Sequence, residues 1–124
     1  MKKLIQGAVL AASVAFAGVA MADDERPDHF QGLAAPDLKT AVANFSEYNT
    51  RLEKVLSGEL TDADLGTVHE LTYTLENALE KINIDLEELA ETLEKVHVAS
   101  ETFNRDALKE AAPAYLEAAR TVIK

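Results

Sequence analysis

The sequence predicts an all-α protein, a helical bundle built on one long central helix with a heptad pattern and flanked by two shorter helices in antiparallel hairpins. Three observations lead to this prediction. Apolar residues recur at intervals of three and four through most of the chain after residue 36. Helix-starting and helix-stopping residues divide that pattern into three segments. No stretch is rich in strand-forming residues.

The first 22 residues have the organisation of a secretory signal peptide. Two lysines precede the apolar segment LIQGAVLAASVAFAGV, and the small-residue site Ala-Met-Ala ends at Ala22, just before the acidic stretch DDERPD. We expect cleavage between Ala22 and Asp23, which leaves no stable membrane anchor and delivers a soluble protein to the periplasm. The alternative is an uncleaved anchor, but glycines and many alanines weaken membrane retention.

The remaining chain divides into a leader and a helical domain. Residues 23–35 carry charge, proline and glycine without a sustained period, so we expect a mobile acidic leader. The helical domain spans 36–124. Its first helix is predicted over 36–57, because Pro36 suits a first helical turn and Gly58 is a stop signal.

The second helix is predicted to begin at Thr61, which forms an approximate capping box with Asp64, and to continue for about forty residues. Ten positions in two heptad columns follow it, and nine of them are apolar. We expect them to form an interaction seam: Leu65, Val68, Thr72, Leu75, Leu79, Ile82, Leu86, Leu89, Leu93 and Val96. Thr72 is the polar break, and such a residue can fix register or partner choice.

The heptad pattern passes through KINIDLEE without a change of phase, which favours one unbroken helix. A third helix follows, capped by Asn104 or Asp106. The first helix would then pair with one half of the long helix and the third with the other, leaving apolar surface uncovered. A homodimer, or another helical partner, would cover that surface. The alternative is a bend near Asn83 that closes a single chain as a four-helix bundle.

Composition excludes several functional classes. The chain has 22 acidic and 12 basic residues, and two of the lysines lie in the signal peptide, so the mature side-chain charge is −12. A surface this acidic repels nucleic acid and anionic lipid headgroups. With no cysteine, the fold has no disulfide framework.

Few residues have the spacing of a catalytic or ligand-binding site. His69 and His97 are 28 residues apart, about 42 Å along a straight helix, so they cannot share one ion. Glu94 and His97 form Glu-x-x-His, the spacing of di-iron bundles, which makes them the one candidate metal pair. Both methionines precede the cleavage site, which rules out methionine–histidine haem ligation and leaves no predicted cofactor. The chain has no nucleophile elbow and no phosphate loop, so we expect no enzymatic activity.

Several segments carry a family resemblance: HFQG, FSEYNTRLEKVLSGELT, VHELTYTLENALEKI, LEELAETLEKVHVASE and AYLEAAR. With the signal peptide, they resemble a family of small secreted bacterial helical proteins catalogued only as a domain of unknown function. That resemblance implies a helical fold but neither an activity nor site residues.

These observations favour a soluble periplasmic protein that acts by binding, either to a second copy of itself or to another helical protein. The alternatives are a metal- or cofactor-binding four-helix-type bundle, for which Glu94 and His97 would be ligands, and a periplasmic stress chaperone.

Overall fold

The computed structural model describes residues 30–124, which form three helices: α1 (Leu38–Leu56), α2 (Asp62–Glu101) and α3 (Arg105–Val122). This confirms the predicted all-α architecture with a long central helix between two shorter ones. The predicted signal peptide, its cleavage site and leader residues 23–29 lie outside the described residues.

Side-chain caps set the helix starts. Asp37 caps α1 by accepting a hydrogen bond from the Thr40 backbone N–H at 2.8 Å. This bond holds the pKa of Asp37 below its ordinary value, because it stabilises the ionised carboxylate. Asn104 caps α3 by accepting from the Ala107 N–H at 3.1 Å. Asn104, rather than Asp106, is therefore the cap.

A complete capping box opens α2, as the sequence predicts. The Thr61 N–H donates to Asp64 Oδ2 at 2.9 Å, while the Asp64 N–H donates to Thr61 Oγ1 at 3.3 Å. The helix then continues for 40 residues and passes Asn83 without interruption. An ion pair between Lys81 and Asp85 at 2.8 Å spans this point, and the hydrogen bond from Lys81 to Asp85 raises the pKa of Lys81. The chain therefore does not fold back at Asn83 to close a bundle by itself.

The core within the described residues is small. α1 and α3 both pack against α2 and also contact each other. Ala41 of α1 meets Ala78 and Ile82 of α2, and both alanines are 0% exposed. Two facing alanines let helix axes approach closely. However, α1 buries only Ala41 and α3 buries no residue, so much of the apolar surface of both helices is only half covered.

Residues 30–35, the last part of the predicted mobile leader, lie against α2 instead of forming a free lead-in to α1. We call this segment the strap. Thr74 Oγ1 accepts a hydrogen bond from the Leu33 N–H at 2.9 Å. Asn77 Nδ2 donates to the carbonyls of Gln31 and Leu33 at 2.9 and 3.0 Å. Because these bonds bind the strap backbone, the packed domain begins before Pro36.

Two further features fix the strap. The Phe30 ring lies 5.4 Å from the Tyr73 ring, centroid to centroid, and the Tyr73 hydroxyl lies 3.1 Å from His69 Nε2. Gly32 has a φ of +69°, and a Cβ there would lie 2.7 Å from the Thr74 backbone nitrogen. Only glycine fits this approach without strain.

Candidate functional site

The two predicted seam columns of α2 differ in exposure. One column is buried or half-buried throughout: Val68, Leu75, Ile82, Leu89 and Val96. The other column keeps four leucines exposed, namely Leu65 at 55%, Leu79 at 44%, Leu86 at 40% and Leu93 at 45%. Thr72, at the intervening position, is half-buried. We call Leu65, Leu79, Leu86 and Leu93 the leucine column.

The face of α2 that packs within the chain is rotated away from the leucine column. The heptad register of the leucine column runs through positions 65, 72, 79, 86, 93 and 100. Leu71, Ala78 and Ala99 each lie one residue before a position of this register, and they are 8%, 0% and 4% exposed. One residue corresponds to about 100° around a helix. Because α1 approaches at the small Ala78, the leucine column remains at the edge of the covered face.

Acidic side chains are nearly absent beside the leucine column. The positions four residues after each member of that heptad register are His69, Glu76, Asn83, Ala90 and His97. Residues at i and i+4 share one face of a helix. We call the leucine column, Thr72 and these five positions the α2 stripe. Of the eleven acidic residues in α2, the stripe contains only Glu76. Another acidic surface can approach this stripe with little like-charge repulsion.

The hydroxyl group of Thr72 is satisfied within its own helix. Its Oγ1 donates to the carbonyl of His69 at 2.6 Å. An apolar neighbour placed against Thr72 would therefore not strand an unpaired donor, which lets the polar break lie inside an apolar interface.

The candidate metal pair has no third ligand among residues 30–124. His97 Nε2 lies 3.3 Å from Glu101 Oε1. Glu94 lines a separate groove between α2 and α3. In the described part of the chain, no group of three histidine, cysteine, aspartate or glutamate side chains could hold a metal ion. A metal at Glu94 and His97 would need ligands from elsewhere, such as a second copy, so this site stays a prediction.

The groove between α2 and α3 has a volume of about 620 Å³. The residues of α2 that line this groove lie about three heptads, or 21 residues, after Thr74 and Asn77, which bind the strap. Lys95 occupies the position equivalent to Thr74, and Val98 the position equivalent to Asn77. Neither residue reproduces the hydroxyl or amide that binds the strap backbone. The groove is therefore not a second copy of the strap site.

Sequence reasoning did not single out Thr74 and Asn77 as binding residues. They are a polar pair at i and i+3 on one side of α2, outside both apolar columns, and this was the available signal. Nothing in the pattern indicates that they bind backbone more than forty residues earlier in the chain.

A family model described as a family of unknown function (DUF6746) matches residues 1–124. The chain belongs to DUF6746. This confirms the resemblance to a family catalogued as a domain of unknown function, while the secreted and bacterial character of this DUF6746 member stays a prediction. No curated protein and no solved structure matches. Among the helices of residues 30–124, none has the length and apolar character needed to cross a membrane.

Proposed function

We propose that this DUF6746 member is a soluble periplasmic protein that acts by helix-to-helix binding, and that it binds a second copy of itself through the α2 stripe. The exposed leucine column is the observation that carries the proposal. Four leucines at heptad positions remain between 40% and 55% exposed on a helix whose other column is buried or half-buried. The sequence-predicted signal peptide supports the periplasmic location.

The size of the core supports the need for a partner. Seven residues among 30–124 are buried, and three of them are alanines. Most large apolar side chains of this chain, which would be buried in the core of an ordinary domain, are therefore only half-buried or exposed. A second copy that packs over the stripe would complete the covering of α2 and contact the open sides of α1 and α3.

The leucine column contributes a substantial part of the required free energy. The exposed fractions of its four leucines together equal about two whole side chains per copy, worth about 3–6 kcal/mol per copy at about 1.5–3 kcal/mol for each buried leucine. A dimer would thus gain about 6–12 kcal/mol from the column, against an association cost of about 4–15 kcal/mol. Half-covered residues of α1 and α3 must supply the surplus for micromolar affinity.

The test is the mass of the protein purified from the periplasm of cells that express the full sequence. We expect light scattering at micromolar concentration to give twice the chain mass, and intact-mass analysis to give a chain that begins at Asp23. A mass equal to one chain at tens of micromolar would contradict self-association. A chain that retains residues 1–22 and stays in the membrane fraction would contradict the location.

Leu79→Asp is the variant that targets the stripe, and Ile84→Asp is its matched control. Ile84 is 46% exposed, close to the 44% of Leu79, but lies about 140° away around α2. Because Leu79 is already half exposed in the single chain, we expect Leu79→Asp to remain helical and become monomeric. Two carboxylates in an apolar interface cost several kcal/mol, so the dissociation constant should rise at least about 100-fold. A Leu79→Asp dimer, or an Ile84→Asp monomer, would place the interface elsewhere.

A further inference from the structure

We propose that the two copies pair antiparallel along the α2 stripe, with Leu79 at the two-fold axis. Each end of the assembly is then a four-helix section, built from α1 and the first half of α2 of one copy and from the second half of α2 and α3 of the other. This inference rests on the proposed self-association and adds the identity, direction and register of the partner surface.

The leucine column is centred on Leu79. Leu65 and Leu93 each lie 14 residues from it, about 21 Å along the helix in opposite directions. Antiparallel pairing about Leu79 therefore brings Leu65 against Leu93 of the second copy. It also brings Thr72 against Leu86 of the second copy, and the Thr72 hydroxyl already has its partner in His69.

The charge on the stripe favours this direction. In the antiparallel arrangement, Glu76 lies beside Asn83 of the second copy, since these two positions are nearly equidistant from Leu79. A parallel arrangement would place Glu76 beside Glu76, and like charges at such spacing destabilise a helical contact. It would also align the acidic first turns of α2, Asp62 and Asp64, at one end of the assembly.

The ends of the molecule offer complementary apolar surfaces. The turn between α1 and α2 is flanked by Leu56 and Leu60, which are 52% and 51% exposed. The turn between α2 and α3 holds Phe103, which has a φ of +53° and is 80% exposed. Antiparallel pairing about Leu79 places the two kinds of turn within about 8 Å of the same level along the axis. Phe103 of one copy can then cover the exposed leucines at the other's first turn, whereas a parallel dimer would place like turns together.

Cysteine crosslinking tests the arrangement in the full exported protein, because the chain has no cysteine of its own. The variants Leu65→Cys, Leu79→Cys and Leu93→Cys are oxidised with copper–phenanthroline, each alone and in a 1:1 mixture of Leu65→Cys with a size-tagged Leu93→Cys. A disulfide requires Cα atoms within about 7 Å. We expect Leu79→Cys to crosslink to itself. We expect the other two to crosslink only in the mixture, since identical positions there are about 42 Å apart. Ile84→Cys, on the other side of α2, is the control for random collision.

The outcomes separate this inference from the proposed function. Self-crosslinking of Leu65→Cys would overturn the antiparallel direction and leave self-association standing. A dimeric mass with no crosslink at any of the three positions would overturn the stripe as the interface. Monomeric mass for all proteins, including the wild type, would overturn both. Circular dichroism and mass under reducing conditions identify any cysteine variant that fails to fold or associate. At the position of such a variant, a leucine-to-methionine substitution is measured as well, to separate misfolding from a lost contact.

Discussion

Substitution of Gly32 by alanine should release or strain the strap. The added Cβ would lie 2.7 Å from the Thr74 backbone nitrogen and 2.8 Å from the Tyr73 carbonyl carbon. Both are backbone atoms of α2 and cannot turn away as a flexible side chain could. The φ of +69° adds about 1–2 kcal/mol for a residue with a Cβ.

The chain can avoid the clash only by undocking the strap. Undocking from α2 exchanges three hydrogen bonds for water, at about 0.5–1.5 kcal/mol each, and breaks the ring contact of Phe30 with Tyr73. A fourth bond of the strap, from Asn44 Nδ2 of α1 to the Ala34 carbonyl, is not made to α2. The variant adopts whichever state costs less free energy, the docked strap with a strained residue 32 or the undocked strap. We therefore expect Gly32→Ala to lower the free energy of unfolding by about 2–4 kcal/mol.

Urea unfolding followed by circular dichroism measures this loss, and the chain provides matched controls. A Cβ at Gly58 or Gly66 would meet nothing within 4 Å. Gly66→Ala, inside α2, should raise stability by about 0.5–1 kcal/mol because alanine favours the helix. Hydrogen exchange of the Leu33 amide is the local readout, since that N–H donates to Thr74. Unchanged stability of Gly32→Ala together with a protected Leu33 amide would refute the reasoning.

Three further predictions follow from the caps and the candidate metal pair. Asn104→Ala removes the N-cap of α3 and should cost about 1 kcal/mol in urea unfolding, whereas a loss below about 0.3 kcal/mol would show that the cap is not used in solution. Hydrogen bonds from the Thr61 hydroxyl and then from the Thr61 backbone N–H hold the pKa of Asp64 below its ordinary value of about 3.9. The stability that Asp64 contributes is therefore complete above that pH and is lost as the pH falls toward the lowered pKa. Asp64→Asn should flatten the acid side of the stability–pH profile, and an unchanged profile would contradict this. Within one chain, Glu94 and His97 have no third ligand among residues 30–124, so zinc should raise the melting temperature only if a second copy completes their site. A zinc-dependent rise that His97→Asn abolishes would establish that site, and no rise at saturating zinc would contradict it.

The sequence predicts the helices well because their determinants are local. The capping box of Thr61 and Asp64 and the cap at Asn104 each lie within three residues of the groups they bind. The uninterrupted heptad register likewise predicts the continuity of α2 past Asn83. Short-range hydrogen bonds and helical periodicity therefore suffice for the elements but not for every boundary. The sequence predicts Pro36 in the first turn of helix one, whereas Asp37 caps α1 and Pro36 precedes the helix.

The strap could not be predicted in this way. Its backbone is bound by Thr74 and Asn77 across 41 to 46 residues of sequence. Charge, proline and glycine without an apolar period predict a free leader. The side chains that bind this segment belong to α2, so its own sequence gives no sign of the docking. Only the folded arrangement shows that Gly32 fits against the backbone of α2.

The candidate surface could be predicted only in part. The heptad pattern identifies ten apolar-column positions but treats both columns alike. Which column packs inside the chain depends on where α1 approaches, and the small pair Ala41 and Ala78 sets that approach. In the structure, only the leucine column of the predicted ten-residue seam is exposed, and we propose that this column binds the partner.

Solvent accessibility of the leucine methyl groups tests the central claim most directly. Relaxation enhancement by a neutral gadolinium chelate, measured on methyl-labelled protein, reports how far each methyl is covered in solution. In a single chain, Leu79 and Ile84 are almost equally exposed, at 44% and 46%. Coverage by a second copy predicts that Leu65, Leu79, Leu86 and Leu93 are protected while Ile84 is strongly broadened. Equal broadening of Leu79 and Ile84 at micromolar and higher concentrations would contradict it.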